Sequence, residues 1–262
     1  MGYERVQVNT DGPVTTVVLR EPSKRNALTP ALIDDLLAAI DALASDEQVR
    51  AVVIWGAGGV FSSGGDLDHL SEMTGWDAVS IASWSRRFYE GVLRLRTLAA
   101  PTIAAINGYA VGAGLGLALA CDLRIAGEDA RLGAPFLSLG LYPGMGLSYL
   151  LTQAVGPARA LELLITRQML DAVTAERLGL VNRVVSADRV LEEAQHLARV
   201  VAAGPPVPLR RLKRGIYDAT RMDLPAVLDY EIDAQVACYH SADLREALAA
   251  VRARRSPEFQ GR

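Results

Sequence analysis

Apolar positions change their period along the chain, and the changes mark its elements. β-Branched and alternating apolar residues fill 3–8 and 14–19 on either side of Gly12-Pro13, which predicts a two-stranded hairpin. Leu32, Ile33, Leu36, Leu37, Ile40 and Leu43 then recur on one helical face, behind Thr29 as cap and Pro30 in the first turn. The apolar segments 51–55 and 102–106 each stop at a glycine turn and predict strands, and 77–98 between them predicts a helix. Two more short strands are expected at 123–126 and 131–133. Strand and helix alternate, the pattern of an α/β layered core. Beyond about residue 186 only helical periodicity remains, over 188–203, 207–220, 224–238 and 243–255. We divide the chain accordingly into a core at 1–186 and a helical region at 187–262, whose apolar faces pack on the core or on another subunit.

Composition narrows the function classes. Of 262 residues, 50% are apolar and 22% charged, which excludes a disordered or fibrous chain. The net charge is −3 in mixed sign with no basic stripe, so no nucleic-acid partner is expected. Cys121 and Cys238 are too few for a disulfide scaffold or a thiolate metal cage and suit a reducing cytoplasm. Residues 1–10 lack a signal-peptide pattern. The uncharged stretch 97–121 is long enough to cross a bilayer, but Pro101, Asn107, Gly108, Gly112, Gly114 and Gly116 interrupt it. A strand, a loop and a buried helix fit it better than a membrane span.

Two segments offer backbone freedom in place of reactive side chains. In Phe61-Ser62-Ser63-Gly64-Gly65-Asp66-Leu67 a glycine loop enters a short helix with Asp66 near its first turn, and the Gly65 N–H is placed to donate to a developing oxyanion; a plain capped helix start has the same pattern. In 107–116 a strand runs through glycines into an apolar helix and again exposes amides at a helix start. Gly112, Gly114 and Gly116 are spaced GxGxG, not as a dinucleotide fingerprint, and no acidic residue stands where a ribose contact needs one. A P-loop, a G-x-S-x-G elbow and the C-x-x-C and H-E-x-x-H metal signatures are absent.

Taken in order, Lys24-Arg25-Asn26-Ala27-Leu28, the segments 61–67 and 107–122, Pro143-Gly144-Met145-Gly146 and Ala175-Glu176-Arg177-Leu178-Gly179-Leu180-Val181 resemble the crotonase superfamily, or enoyl-CoA hydratase/isomerase family, over nearly the whole chain. The resemblance implies an α/β spiral of ββα units with a C-terminal helical region that assembles trimers or dimers of trimers. It implies an acyl-CoA or enoyl-CoA thioester as substrate, in fatty-acid or related metabolism, with no cofactor beyond the coenzyme A of the substrate itself. The thioester carbonyl is expected between the N–H groups of Gly65 and Ala113, which stabilise an enolate. Lys24, Arg25 and Ala27 are expected along the CoA arm, and Ser63, Asp66, Leu67, Tyr109, Gly114, Pro135, Phe136 and Tyr142 around the acyl site.

The sequence departs from that family at the two glutamates with which its hydratases hold and activate water. Those positions here are Gly116 and Phe136, and neither takes a proton. Since a positioned acid or base contributes about 10²–10⁴-fold, two-glutamate hydration is not expected, and isomerisation through the second acid is in equal doubt. His69, one turn after Gly65, either faces the acyl chain as acid or base or lies on the surface, with Glu72 as an orienting partner. Tyr142 offers a second proton donor or plain packing, His240 a pocket lid or a subunit contact, and His196 faces solvent. Trp84, Phe88, Leu95 and Leu98 are expected in the core. Three functions follow: a hydratase or isomerase of the family, a decarboxylase or C–C lyase on a CoA thioester, and a non-catalytic acyl-CoA binder.

Overall fold

The computed structural model describes residues 3–261. Strands β1 (Val6–Asp11) and β2 (Val14–Leu19) form the expected antiparallel hairpin, in register from Asp11↔Val14 to Val6↔Leu19. The first strand runs to the turn itself rather than over 3–8, because a two-residue Gly12-Pro13 turn pairs the residues directly flanking it. Strands β3 (Ala51–Gly56), β4 (Thr102–Ile106), β6 (Leu123–Gly127) and β9 (Arg183–Val185) continue from β2 in parallel, giving a six-stranded sheet in the order β1-β2-β3-β4-β6-β9. A smaller sheet joins β5 (Tyr109–Val111), β7 (Arg131–Gly133) and β8 (Leu170–Asp171).

The inner strands of the main sheet are covered on both faces, which is why they are continuous apolar runs. Val52 and Ile54 of β3 point into the larger core, with α1 (Pro30–Ser45), α3 (Ala78–Leu93) and α4 (Ala113–Ala120). Ala51 and Val53, one residue out of phase, meet Val190, Ala194, Ala198 and Ala202 of α8 (Val190–Ala202) on the opposite face. The Thr29 hydroxyl accepts from the Leu32 N–H and caps α1 as its sequence predicts. The helix expected over 77–98 ends at Leu93 and tightens into a 3₁₀ turn at Arg94–Thr97. The 97–121 stretch divides into β4, β5 and α4, and among the described residues no helix is long and apolar enough to cross a membrane.

Three helices follow the small sheet or separate its strands: α5 (Leu147–Val155), α6 (Pro157–Thr166) and α7 (Ala172–Arg177). Beyond α8, helices α9 (Pro206–Ala219), α10 (Leu224–His240) and α11 (Ala242–Ala253) pack successively on one another. One buried polar cluster fastens α9 to the core. Lys213 Nζ lies 2.8 Å from an Asp122 carboxylate oxygen and donates to the carbonyls of Leu95 and Ala100, while the Tyr217 hydroxyl donates to the other oxygen of Asp122 at 2.6 Å.

Candidate functional site

The loop 22–29 and the loop 57–66 are held together through Asn26. This buried residue sits in the left-handed region at φ 52°, and its side-chain amide donates to the carbonyls of Ala57 and Val60 while its oxygen accepts from the Glu21 N–H. The Ser62 hydroxyl donates to the Asn26 carbonyl, and the Leu28 N–H donates to the Gly64 carbonyl. Gly64 then makes the approach on which the site depends. Its φ is +95°, and a β-carbon there would lie 2.4 Å from the Val111 carbonyl oxygen and 3.3 Å from the Ala113 nitrogen. Only glycine lets the two chain segments come this close.

Ala113 is the first residue of α4, where helix N–H groups have no internal acceptor. Among the described residues neither the Ala113 amide nor the Gly65 amide has a hydrogen-bond acceptor. Two free donors on adjoining segments, one at the positive end of a buried helix, form an arrangement suited to an oxyanion. Gly114 packs under the Ser62 backbone, with its β-carbon position 2.6 Å from the Ser62 carbonyl oxygen, and is a spacer between the loops rather than a contact surface.

The space beside these amides is apolar. A β-carbon at Gly116 would lie 2.5 Å from Met145 Cβ and 3.2 Å from its Cγ, so Met145, fully buried, holds the space a side chain at 116 needs. The Phe136 ring lies 3.8 Å from the β-carbon position of Gly112, directly before Ala113, and Pro135 precedes a 3₁₀ turn that carries the ring there. Tyr89 of α3 closes over Gly144, its hydroxyl 2.4 Å from the β-carbon position of that glycine. Met145 and Tyr89 are site residues that sequence reading missed; the complementarity of Gly116 to a large residue at 145 is a spatial signal with no local trace.

At the rim, Lys24 donates to Asp66 at 2.9 Å and approaches Asp68 at 3.6 Å. The ammonium hydrogen bond, followed by the His69 backbone N–H, holds the Asp66 carboxyl below its ordinary 3.8, and the same contact raises the Lys24 amine. Asp66 thus caps α2 (Leu67–Met73) and anchors Lys24, whose side chain remains 45% exposed. Arg25 is exposed in a left-handed conformation, Ala27 is buried, and the Ser63 N–H donates to the Arg25 carbonyl. Leu67, Tyr109 and Tyr142 are exposed in the single chain, Tyr142 the most at 79%.

His69 is not the surface histidine that its neighbours Asp68 and Leu70 suggest. It is 7% exposed, its ring 4.6 Å from that of Trp84 and 5.4 Å from that of Trp76. Its Nδ1 and Nε2 have no hydrogen-bond partner, and the nearest carboxylate oxygen, on Glu72, is 3.5 Å from Nδ1. Leaving a buried polar group unpaired costs about 1–3 kcal/mol, so this placement calls for a reason. His240 is exposed at the end of α10, which packs on α9 and α11, and His196 is exposed on α8. Phe88, Leu95 and Leu98 are buried in the core, with Trp84 packed partly buried against them.

Comparison with known proteins gives one family. Residues 9–262 match the enoyl-CoA hydratase/isomerase family. A probable enoyl-CoA hydratase of Rhizobium meliloti (strain 1021) is 38% identical over 262 residues, 100% of both chains. The short-chain-enoyl-CoA hydratase of Clostridium acetobutylicum is 32% identical over 251 residues, 95% of each. The crystal structure of an enoyl-CoA hydratase from Bacillus anthracis superposes with a TM-score of 0.93 at 31% identity, covering 99% of this chain and 100% of that one.

Proposed function

The chain belongs to the enoyl-CoA hydratase/isomerase family and has the crotonase fold, and from that premise we propose that it binds an acyl- or enoyl-CoA thioester with the carbonyl oxygen between the Gly65 and Ala113 amides. The observation that carries this reading is the close approach at Gly64, which sets two unpartnered N–H groups on adjoining segments. Donors of this kind act on charge as it develops; removing one from an acyl-transfer site typically costs about 3 kcal/mol of barrier. The charge here is an enolate: the electron pair of a bond to the α-carbon moves onto the thioester oxygen.

Lys24 and Arg25 at the rim supply cations for the phosphates of the CoA arm, Lys24 being pre-oriented by Asp66. Gly116 and Phe136 stand where family hydratases carry their two glutamates. With a phenyl ring and Met145 in that space, addition of water by a pair of carboxylates is not the reaction this pocket supports. The same observation favours a second reading, loss of carbon dioxide or another C–C cleavage. There the breaking bond supplies the enolate pair, carbon dioxide leaves, and one proton adds to the α-carbon. A binder without turnover keeps the same contacts. The helical region 187–262 is proposed to assemble trimers or dimers of trimers, burying exposed Leu212, Ile216, Leu228 and Ile232 around a groove of about 830 Å³.

Calorimetric titration with crotonyl-CoA, together with its hydration followed by loss of the enoyl-thioester absorbance, tests the reading. Binding with little or no hydration is expected. Absence of binding overturns the site, and turnover at the pace of a typical enzyme overturns the part assigned to Gly116 and Phe136.

A further inference from the structure

An apolar side chain stands beside each of the two unpartnered amides. The Leu70 side chain lies 3.5 Å from the β-carbon position of Gly65, which puts its tip within about 6 Å of the Gly65 nitrogen. The Phe136 ring lies 3.8 Å from the β-carbon position of Gly112, whose carbonyl carbon bears the Ala113 nitrogen. Gly65, Leu70, Gly112 and Phe136 are all half-buried, so a ligand can reach them. Resting on the thioester reading above, we propose that Leu70 and Phe136 determine acyl specificity. They are the two walls of a slot that admits an unbranched, apolar acyl group and rejects one that is branched or carries a ring next to the carbonyl.

The amides themselves bring the acyl group to these walls. A carbonyl oxygen that accepts from both lies about 2.9 Å from each nitrogen, and the α-carbon is two bonds beyond it. The first acyl carbons are therefore within reach of the leucine tip and the phenyl ring, whichever way the chain then runs. Both walls are hydrocarbon, so they favour CH₂ groups through the area buried and offer a polar substituent no partner.

Neither wall is free to withdraw through its backbone. The Leu70 N–H donates to the carbonyl of Asp66, the cap of α2, while the Phe136 N–H donates to the Ala134 carbonyl and the Phe136 carbonyl accepts from the Leu141 N–H. Depth is limited as well. The Gly116 N–H donates to the Gly112 carbonyl, one turn back, and Met145 fills the space a side chain at 116 needs, so a branch finds no side pocket there.

Calorimetry with butyryl-CoA, isobutyryl-CoA and benzoyl-CoA reads the slot. Wild type is expected to bind butyryl-CoA at least tenfold more tightly than either of the others, since one misplaced carbon in a hydrophobic pocket costs about 10–200-fold. Phe136→Ala and Leu70→Ala are each expected to cut that preference at least threefold, mainly by tightening benzoyl-CoA, with butyryl-CoA within about threefold of wild type. A variant that keeps the wild-type preference removes its residue from the wall, and if both keep it the proposal falls while the thioester site stands. Wild type that binds all three equally overturns the slot, and wild type that binds none overturns the thioester reading itself. Unmodified protein gives an independent reading. With labelled leucine methyls and phenylalanine rings, bound butyryl-CoA is expected to show NMR cross-relaxation with Leu70 and Phe136, and binding without it contradicts the proposal.

Discussion

Adding one methyl group at position 116 separates local propensity from the packing described above. In an ordinary helix Gly→Ala stabilises by about 1 kcal/mol, since alanine loses less backbone freedom. Gly116 lies within α4, and its new β-carbon would meet Met145 Cβ at 2.5 Å. That atom is tied to the backbone of a fully buried residue at φ 57°, so it cannot swing aside as the tip of a long side chain does. Overpacking a closed core costs about 1–3 kcal/mol, and the upper end applies when the contact is between β-carbons. Gly116→Ala is therefore expected to lose about 2 kcal/mol net in urea unfolding. Met145→Gly removes the opposing β-carbon at a φ that glycine adopts freely, and in that background the cost of Gly116→Ala should vanish, a coupling of about 2–3 kcal/mol. Met145→Ala keeps the β-carbon and should not relieve it. A Gly116→Ala variant as stable as wild type refutes this account of the packing at position 116.

Further outcomes follow from the same geometry. Replacing Gly116 and Phe136 by glutamate is expected to yield crotonyl-CoA hydration only when Met145→Gly opens the space, as the enoyl absorbance will show. Lys213→Ala leaves the Asp122 carboxylate and the Tyr217 hydroxyl buried without their cation, and a broken buried pair costs about 3–5 kcal/mol in urea unfolding. Asp66, with its folded pKa below the ordinary 3.8, adds stability that is complete above that value and is lost as pH falls through the folded one. Asp66→Asn, which still caps α2, should flatten this acid limb of the unfolding midpoint, while Asp66→Ala lowers stability at neutral pH as well. Burial pushes the Cys121 thiol up to about 12, so a thiol reagent should modify Cys121 only after unfolding.

The main strands and long helices were legible because each carries its own period. The runs over β2, β3 and β4 and the cap at Thr29 needed no partner to be recognised. The small elements were not: β5, β8 and β9 are two or three residues long, and their pairing comes from distant chain. Of the two proposed donors, Gly65 is legible in its glycine loop before a helix start, whereas Ala113 is singled out by the family resemblance. For His69 the sequence leaves open a ring facing the acyl chain or a surface one, since polar neighbours say nothing of the Trp76 and Trp84 rings packed against it. The match of Met145 to Gly116 likewise exists only in space. Lys24 is expected along the CoA arm, and its bond to Asp66, 42 residues away, appears only once the two loops meet.

The central claim is that the backbone amides of Gly65 and Ala113 act on the thioester oxygen. Ala113 can be perturbed through the backbone, because it is the first residue of α4, where proline is tolerated; the substitution removes the N–H and puts the ring Cδ in its place. The decisive measurement is butyryl-CoA α-proton exchange by wild type and by Ala113→Pro, with thermal unfolding as the control for folding. Exchange reduced about 10²–10³-fold at near wild-type stability is the predicted result. A folded Ala113→Pro protein that exchanges as fast as wild type contradicts the account.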